Sequence, residues 1–144
     1  MTEPLVPSVL ALDIGKKRIG VAGCDRLGLF ANGLMTIDRK SLPQVIDELQ
    51  RLVDEREVTL LVIGMPYLMD GTVGAQAKNT RKTGKTIAKA LALPIVWVDE
   101  RLTSFAAEEL LKAEHISPSR NKGAIDRKAA AIILQQWLDD RRLT

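Results

Sequence analysis

The feature that most constrains this chain is a pair of apolar runs joined by a short charged turn. Val9-Leu10-Ala11-Leu12 leads into Asp13, the turn passes through Gly15, Lys16, Lys17 and Arg18, and Ile19-Gly20-Val21-Ala22 follows. Both runs read as β-strands, and a connection this short makes them neighbours in one sheet. Asp13 therefore stands at the end of a buried strand, placed there by the backbone rather than by its own solvation. An acid in that position is costly unless something compensates it.

The pattern downstream defines the fold class. Asp25-Arg26-Leu27-Gly28 turns the chain into a third strand over Gly33–Ile37, which gives an antiparallel meander. Leu42, Val45, Ile46, Leu49, Leu52 and Val53 recur at three and four residues. They predict a helix capped by Asp38 or Ser41, with Pro43 tolerated in its first turn. Thr59–Ile63 is a short, continuous apolar run of the kind buried on both faces of a parallel sheet. A second helix is expected from Asp70-Gly71-Thr72 to about Leu91, then a fifth strand over Ile95–Val98. Thr103 or Ser104 caps a short helix reaching Glu114, Ser117–Gly123 reads as a mobile loop, and a final helix starts near Ala124 to Asp126. That last helix is apolar around most of its circumference, and its alanines permit close approach to a sheet. The order implies an α/β fold with a mixed sheet, antiparallel on one side and parallel on the other.

Length and composition narrow the class further. The 144 residues suffice for one domain spanning 1–144, with residues 1–8 a flexible extension. Aromatics make up only 3% of the chain, so aliphatic residues must build the core and stacking platforms for bases are scarce. A single cysteine, Cys24, cannot form an internal disulfide and reads as a small core residue in a reducing compartment. Met1-Thr2-Glu3-Pro4 lacks the pattern of a secretory signal and no apolar run reaches bilayer length, so a cytoplasmic protein without membrane contact is expected. The net charge of +3 says little by itself about polyanionic partners; the distribution of the cations has to carry that point.

Three acids at distant positions suggest the chemistry. Asp13 ends the first strand, Asp99 and Glu100 end the fifth, and Asp126 opens the final helix. Ligands of open α/β sheets sit at the carboxyl ends of the strands, where these groups would converge. Clustered carboxylates repel one another unless a cation neutralises them, and their hard oxygens select Mg²⁺ or Mn²⁺. Such a centre suits hydrolysis of a phosphodiester. Alternation puts Val96 and Val98 on one face of the fifth strand and Trp97 and Asp99 on the other, with Glu100 beyond the strand. Each acid alone has an ordinary reading: Asp13 as a turn former, Asp126 as a helix cap, Asp99 as a partner for Arg101.

Four motifs in order tip that balance. Asp13–Ala22, Ile63-Gly64-Met65-Pro66 with Asp70-Gly71-Thr72, Asp99-Glu100-Arg101-Leu102-Thr103-Ser104, and Asn121-Lys122-Gly123 through Asp126 to Leu134 resemble the motif series of the YqgF family, also called RuvX or RuvC-like. The resemblance covers nearly the whole chain after residue 8. It implies a ribonuclease H-like fold with a five-stranded mixed sheet, order 3-2-1-4-5, flanked by helices. It also implies that Asp13, Asp126 and one of the Asp99-Glu100 pair are catalytic metal ligands, with Glu100 favoured and Asp99 the alternative. The activity implied is a Mg²⁺- or Mn²⁺-dependent nuclease acting on RNA in the processing of precursor 16S rRNA. Alternatives are a dimeric Holliday junction resolvase and a non-catalytic RNA-binding assembly factor. Dedicated resolvases carry a second aspartate one turn after the last one, where this chain has Ala129, which favours RNA over four-way DNA.

Cations mark where a nucleic-acid backbone would lie. Lys78, Lys82, Lys85 and Lys89 form a stripe along the second helix with Arg81 beside it. Lys16, Lys17 and Arg18 border the acids, Arg101 follows them, and Arg120 and Lys122 flank the approach to the last helix. Contacts of this kind bind phosphates without reading sequence. A lysine stripe is also the ordinary solvated side of an amphipathic helix. His115 is the only histidine, so a histidine-built metal site is excluded. A monomer and a homodimer both fit these features.

Overall fold

A computed structural model describes residues 8–101, 109–110, 112–114 and 122–142. Strand β1 (Val9–Ile14) forms the centre of the sheet. It pairs antiparallel with β2 (Arg18–Cys24), which pairs antiparallel with β3 (Ala31–Asp38). On its other side β1 runs parallel to β4 (Leu60–Met65), and β4 runs parallel to β5 (Ile95–Asp99). The five strands lie in the order β3-β2-β1-β4-β5, the mixed sheet expected from the sequence.

The period-two alternation of β1 divides the core in two. Leu10, Leu12 and Ile14 face α1 (Leu42–Arg56) and α2 (Ala75–Leu91), together with Ile19, Val21, Ile37, Leu61 and Ile63. Val9 and Ala11 face α3 (Lys122–Arg142), where Ala22, Val62, Val98, Ala130, Ile133, Leu134 and Leu138 complete a second cluster. Each fully buried Leu or Ile contributes about 1.5–3 kcal/mol. Both faces of β1 and β4 are therefore strongly committed, and sliding either strand by one residue would exchange the two sets. Trp97 packs against the first cluster and Trp137 against the second.

Local chemistry sets the element ends. Ser41 is the cap of α1: its Oγ accepts from Gln44 N at 3.2 Å while Gln44 Oε1 accepts from Ser41 N at 3.2 Å, a reciprocal capping box. Asp38 contributes only its carbonyl, which accepts from Gln44 Nε2 at 2.9 Å. The expected start of α2 is corrected. Asp70-Gly71-Thr72 is a turn in which Asp70 Oδ1 accepts from Thr72 N at 2.9 Å and from Thr72 Oγ1 at 2.7 Å, and the helix begins after Gly74. Gly71, at φ +88°, supplies the left-handed conformation that closes this turn.

The start of α3 also differs from expectation, since Lys122 and Gly123 are already helical. Thr36 of β3 donates from Oγ1 to Gly123 O at 2.7 Å, tying that first turn to the sheet. Glu109, Leu110, Lys112 and Ala113 are helical, whereas the expected caps Thr103 and Ser104, His115, Arg120 and most of the expected 117–123 loop lie outside the described residues. No helix among the described residues is long and apolar enough to cross a membrane.

Candidate active site

Strand register assembles the site. On β2, Gly20 is the partner of Asp13. On the other side, one step beyond the Leu12–Ile63 pair, Gly64 of β4 lies beside Asp13, and Gly64 in turn pairs with Val98 of β5. Alternation places Asp13 on the α3 face with Val9 and Ala11, and places Glu100 on that same face with Val96 and Val98. Asp13 is thus flanked within the sheet by two positions that carry no side chain.

Those two glycines make room for the other acids. A Cβ on Gly64 would stand 2.6 Å from Glu100 Oε2 and 2.5 Å from Ile133 Cδ1. The Glu100 carboxyl therefore lies over β4 toward Asp13, and Glu100 N extends the strand by donating to Met65 O at 3.2 Å. A Cβ on Gly20 would fall 2.0 Å from the carbonyl oxygen of Asp126, so the first turns of α3 rest directly on β2. Sequence reasoning missed Gly20. A glycine inside an otherwise β-branched and aliphatic strand was the available signal for a close backbone approach.

Asp13 and Glu100 share a hydrogen bond, with the Glu100 carboxyl as donor. Burial, the Asp13 charge and that bond raise Glu100 to about 9. Burial also raises Asp13, with the charge of Asp126 adding to the shift and the bond from Glu100 opposing it. Asp126 is held by Arg18, whose Nε lies 2.6 Å from Oδ2, with both side chains largely shielded. Arg18, expected to touch nucleic acid, is thus occupied as a clasp on the third acid. Among the described residues no three His, Cys, Asp or Glu side chains form a ready metal cage. The donor set nevertheless fits a hard cation: the Asp13 and Glu100 carboxyls crowd together where a divalent ion would stabilise both charges, and Asp126 stands beside them on Arg18.

Asp99 points elsewhere. Arg101 grips it through Nε at 2.9 Å and Nη2 at 2.6 Å, and the Arg101 main-chain N donates to Oδ1 at 3.0 Å. Arg101 Nη1 also donates to Met69 O at 3.1 Å. The hydrogen bond from Arg101 holds the Asp99 carboxyl below the usual carboxylate range. Parity explains the divergence, because Asp99 follows Trp97 toward the α1 and α2 face while Glu100 follows Val98.

The cations divide between two surfaces. Lys16 and Lys17 are exposed on the β1–β2 turn at the carboxyl edge, and Lys122 is exposed at the start of α3. Lys78, Lys82 and Lys85 are exposed and Arg81 half-buried on α2, but the side of α2 that meets the β1–β2 turn carries Gln76, Asn79, Thr80 and Thr83 instead. At 100° per residue the lysines and that uncharged side diverge around the helix.

The raised carboxyls predict a pH dependence. For an acid whose folded pKa lies above its unfolded value, the folded state retains a proton that the unfolded state releases, so stability falls as pH rises. Thermal melts in EDTA are expected to show Tm declining from about pH 5 toward pH 9, where Glu100 itself ionises. Millimolar Mn²⁺ should recover much of that loss. A flat profile in EDTA would contradict the shared-proton arrangement.

Comparison with known proteins follows the same lines. The family described as "RuvX: Holliday junction resolvase" matches residues 7–140. A protein of Trichormus variabilis named "Putative pre-16S rRNA nuclease" is 59% identical over 135 residues, covering 94% of this chain and 89% of the relative. A protein of Crocosphaera subtropica with the same name is 61% identical, covering 94% of each. Among solved structures, Thermus thermophilus RuvC in complex with a Holliday junction substrate matches with a TM-score of 0.60 at 14% identity, covering 96% of this chain and 98% of that one. That likeness establishes a shared fold.

Proposed function

The chain belongs to the RuvX family, and from that membership and the geometry of its acids we propose that it is a divalent-metal-dependent nuclease that hydrolyses phosphodiester bonds of precursor 16S rRNA. The observation that carries the nuclease reading is the convergence of Asp13 and Glu100, whose carboxyl group lies over Gly64, at the carboxyl edge of the parallel strands β1, β4 and β5. Asp13, Glu100 and Asp126 would hold Mg²⁺ or Mn²⁺. When bound, the cation lowers the pKa of a water and offsets charge that develops on the phosphoryl oxygens.

The chain's own residues supply the rest. The β1 backbone fixes Asp13, Gly64 lets Glu100 reach it, and Gly20 lets α3 bring Asp126 alongside. Glu100 and Asp126 would hold the cation as carboxylates, with Asp126 kept beside the site by Arg18. The Arg18 guanidinium stands beside the acids, where it would also meet a substrate phosphate. Lys16, Lys17 and Lys122 line the approach, while the α2 lysines provide a more distant surface for the backbone.

RNA is favoured over four-way DNA by the names of the relatives and by Ala129, which is buried at 1% exposure where a further acid would be needed. The test offers the purified protein end-labelled RNA spanning a 16S precursor terminus and a four-way DNA junction, side by side, with Mg²⁺ or Mn²⁺. Discrete RNA products with intact DNA are expected. Paired cuts in the DNA by a dimer would establish a resolvase instead, and RNA binding without cleavage in either metal would establish a non-catalytic factor.

A further inference from the structure

On the opposite face of β1 from Asp13, beneath the same turn, lies a small polar pocket. Its walls include Lys16 from the turn, Arg39 from the end of β3, and Gln76, Asn79 and Thr83 from α2. No carboxylate lines it, and among the described residues neither Lys16 nor Arg39 takes part in an ion pair. Arg39 is nonetheless fixed: Nη1 donates to Gly15 O at 2.6 Å, and its main-chain N donates to Lys17 O at 2.8 Å. The guanidinium is thereby held at the pocket with donors to spare and no acidic partner among the described residues.

We propose that this pocket seats one phosphodiester group of the substrate strand, on the far side of the β1–β2 turn from the bond that is cut. The inference rests on the nuclease reading above and adds a binding residue set to it. Two cations with amide and hydroxyl donors select an anion with several acceptor oxygens. The volume of about 30 Å³ is room for about two waters, enough for the oxygens of one phosphate group. Position supplies the rest of the argument. Asp13 and Ile14 are consecutive, so their side chains leave the sheet on opposite faces. A strand draped over the carboxyl edge can place one linkage at the acids and a neighbouring one at the pocket. Holding a second phosphate fixes the strand's direction and register across the edge, which the acids alone do not.

Asn79 is exposed, so Asn79→Asp introduces a negative charge at nearly constant shape. Binding is read in the non-cleaving Asp13→Asn background with labelled RNA, across a salt series and with single uncharged methylphosphonate linkages placed one at a time. Asn79→Asp is expected to weaken binding about tenfold and to flatten the log–log salt dependence by about one unit. Of the methylphosphonate positions that weaken the parent, the one at the pocket should cost the variant nothing. Gln76→Glu repeats the test should Asn79→Asp lower the Tm. Unchanged affinity, salt slope and methylphosphonate profile in the variants would overturn the proposal. So would calorimetric binding of inorganic phosphate that is abolished by Asn79→Asp while the strand profile stays the same, since the pocket would then serve a free anion. An unsubstituted protein that neither binds nor cuts RNA would instead refute the nuclease reading. One that cuts RNA, with variants indistinguishable from it, refutes only the pocket.

Discussion

Asp13→Asn is expected to slow RNA cleavage by about 10³-fold or more, equivalent to about 4 kcal/mol of lost barrier lowering, while making the metal-free protein more stable rather than less. Both effects have one cause. Asp13 is a charge that burial and the field of Asp126 both disfavour, so the amide removes that cost along with a ligand. Melting in EDTA at pH 8 should show a higher Tm than the parent, and Mn²⁺ should no longer raise it. Glu100→Gln should behave in the same way. Asp99→Asn, which loses only an exposed pair with Arg101, should cost no more than about 1 kcal/mol and change cleavage less than about tenfold. An active Glu100→Gln beside an inactive Asp99→Asn would reverse the assignment of the second ligand.

Gly20→Ala is expected to cost about 3 kcal/mol, a fall in Tm of about 10 °C, and to impair cleavage as well. The added methyl would sit 2.0 Å from the Asp126 carbonyl oxygen and 2.4 Å from its carbonyl carbon. These are backbone atoms of a helix that also covers β1, β3 and β4, so no rotamer change relieves the contact. The helix must lift from β2, taking Asp126 away from Arg18 and from Asp13. A variant that melts within about 1 °C of the parent and retains full activity would show that α3 docks differently from the arrangement described.

The opposed signs of these two substitutions express how the site is built. Bringing the carboxylates together costs folding free energy; strand pairing and the packing of α3 bring them together. Under the proposed metal reading a cation would make the cluster favourable, so metal affinity and instability in EDTA would have the same origin.

Much of the architecture was legible before any coordinates. Continuous apolar runs at β1 and β4 marked strands buried on both faces, helical periodicity marked α1, and the order of elements implied the mixed sheet. Errors arose where short-range polar chemistry competes with helix formation. Asp70 satisfies Thr72 within a turn and delays α2, whereas Thr36 reaches across from β3 and lets α3 begin before its expected start. The first depends on which partner an aspartate finds, and the second on a residue 87 positions away.

For the candidate site, the sequence by itself determined which residue types stand at strand ends: Asp13 at the close of β1, Asp99 and Glu100 at the close of β5, and glycines at 20 and 64. Alternation along a strand is a local property, so the opposite faces of Val98 and Asp99 could be read without a fold, whereas Glu100 stands beyond the strand. Only the tertiary structure decided which face Asp13 shares, that Gly20 and Gly64 flank it, that Arg18 holds Asp126, and that α2 turns amides rather than lysines toward the β1–β2 turn. The physical reason is register. Which residue of one strand lies beside which of the next, and at what rotation a helix packs on them, follow from the burial of two apolar faces at once, and no single segment encodes that sum.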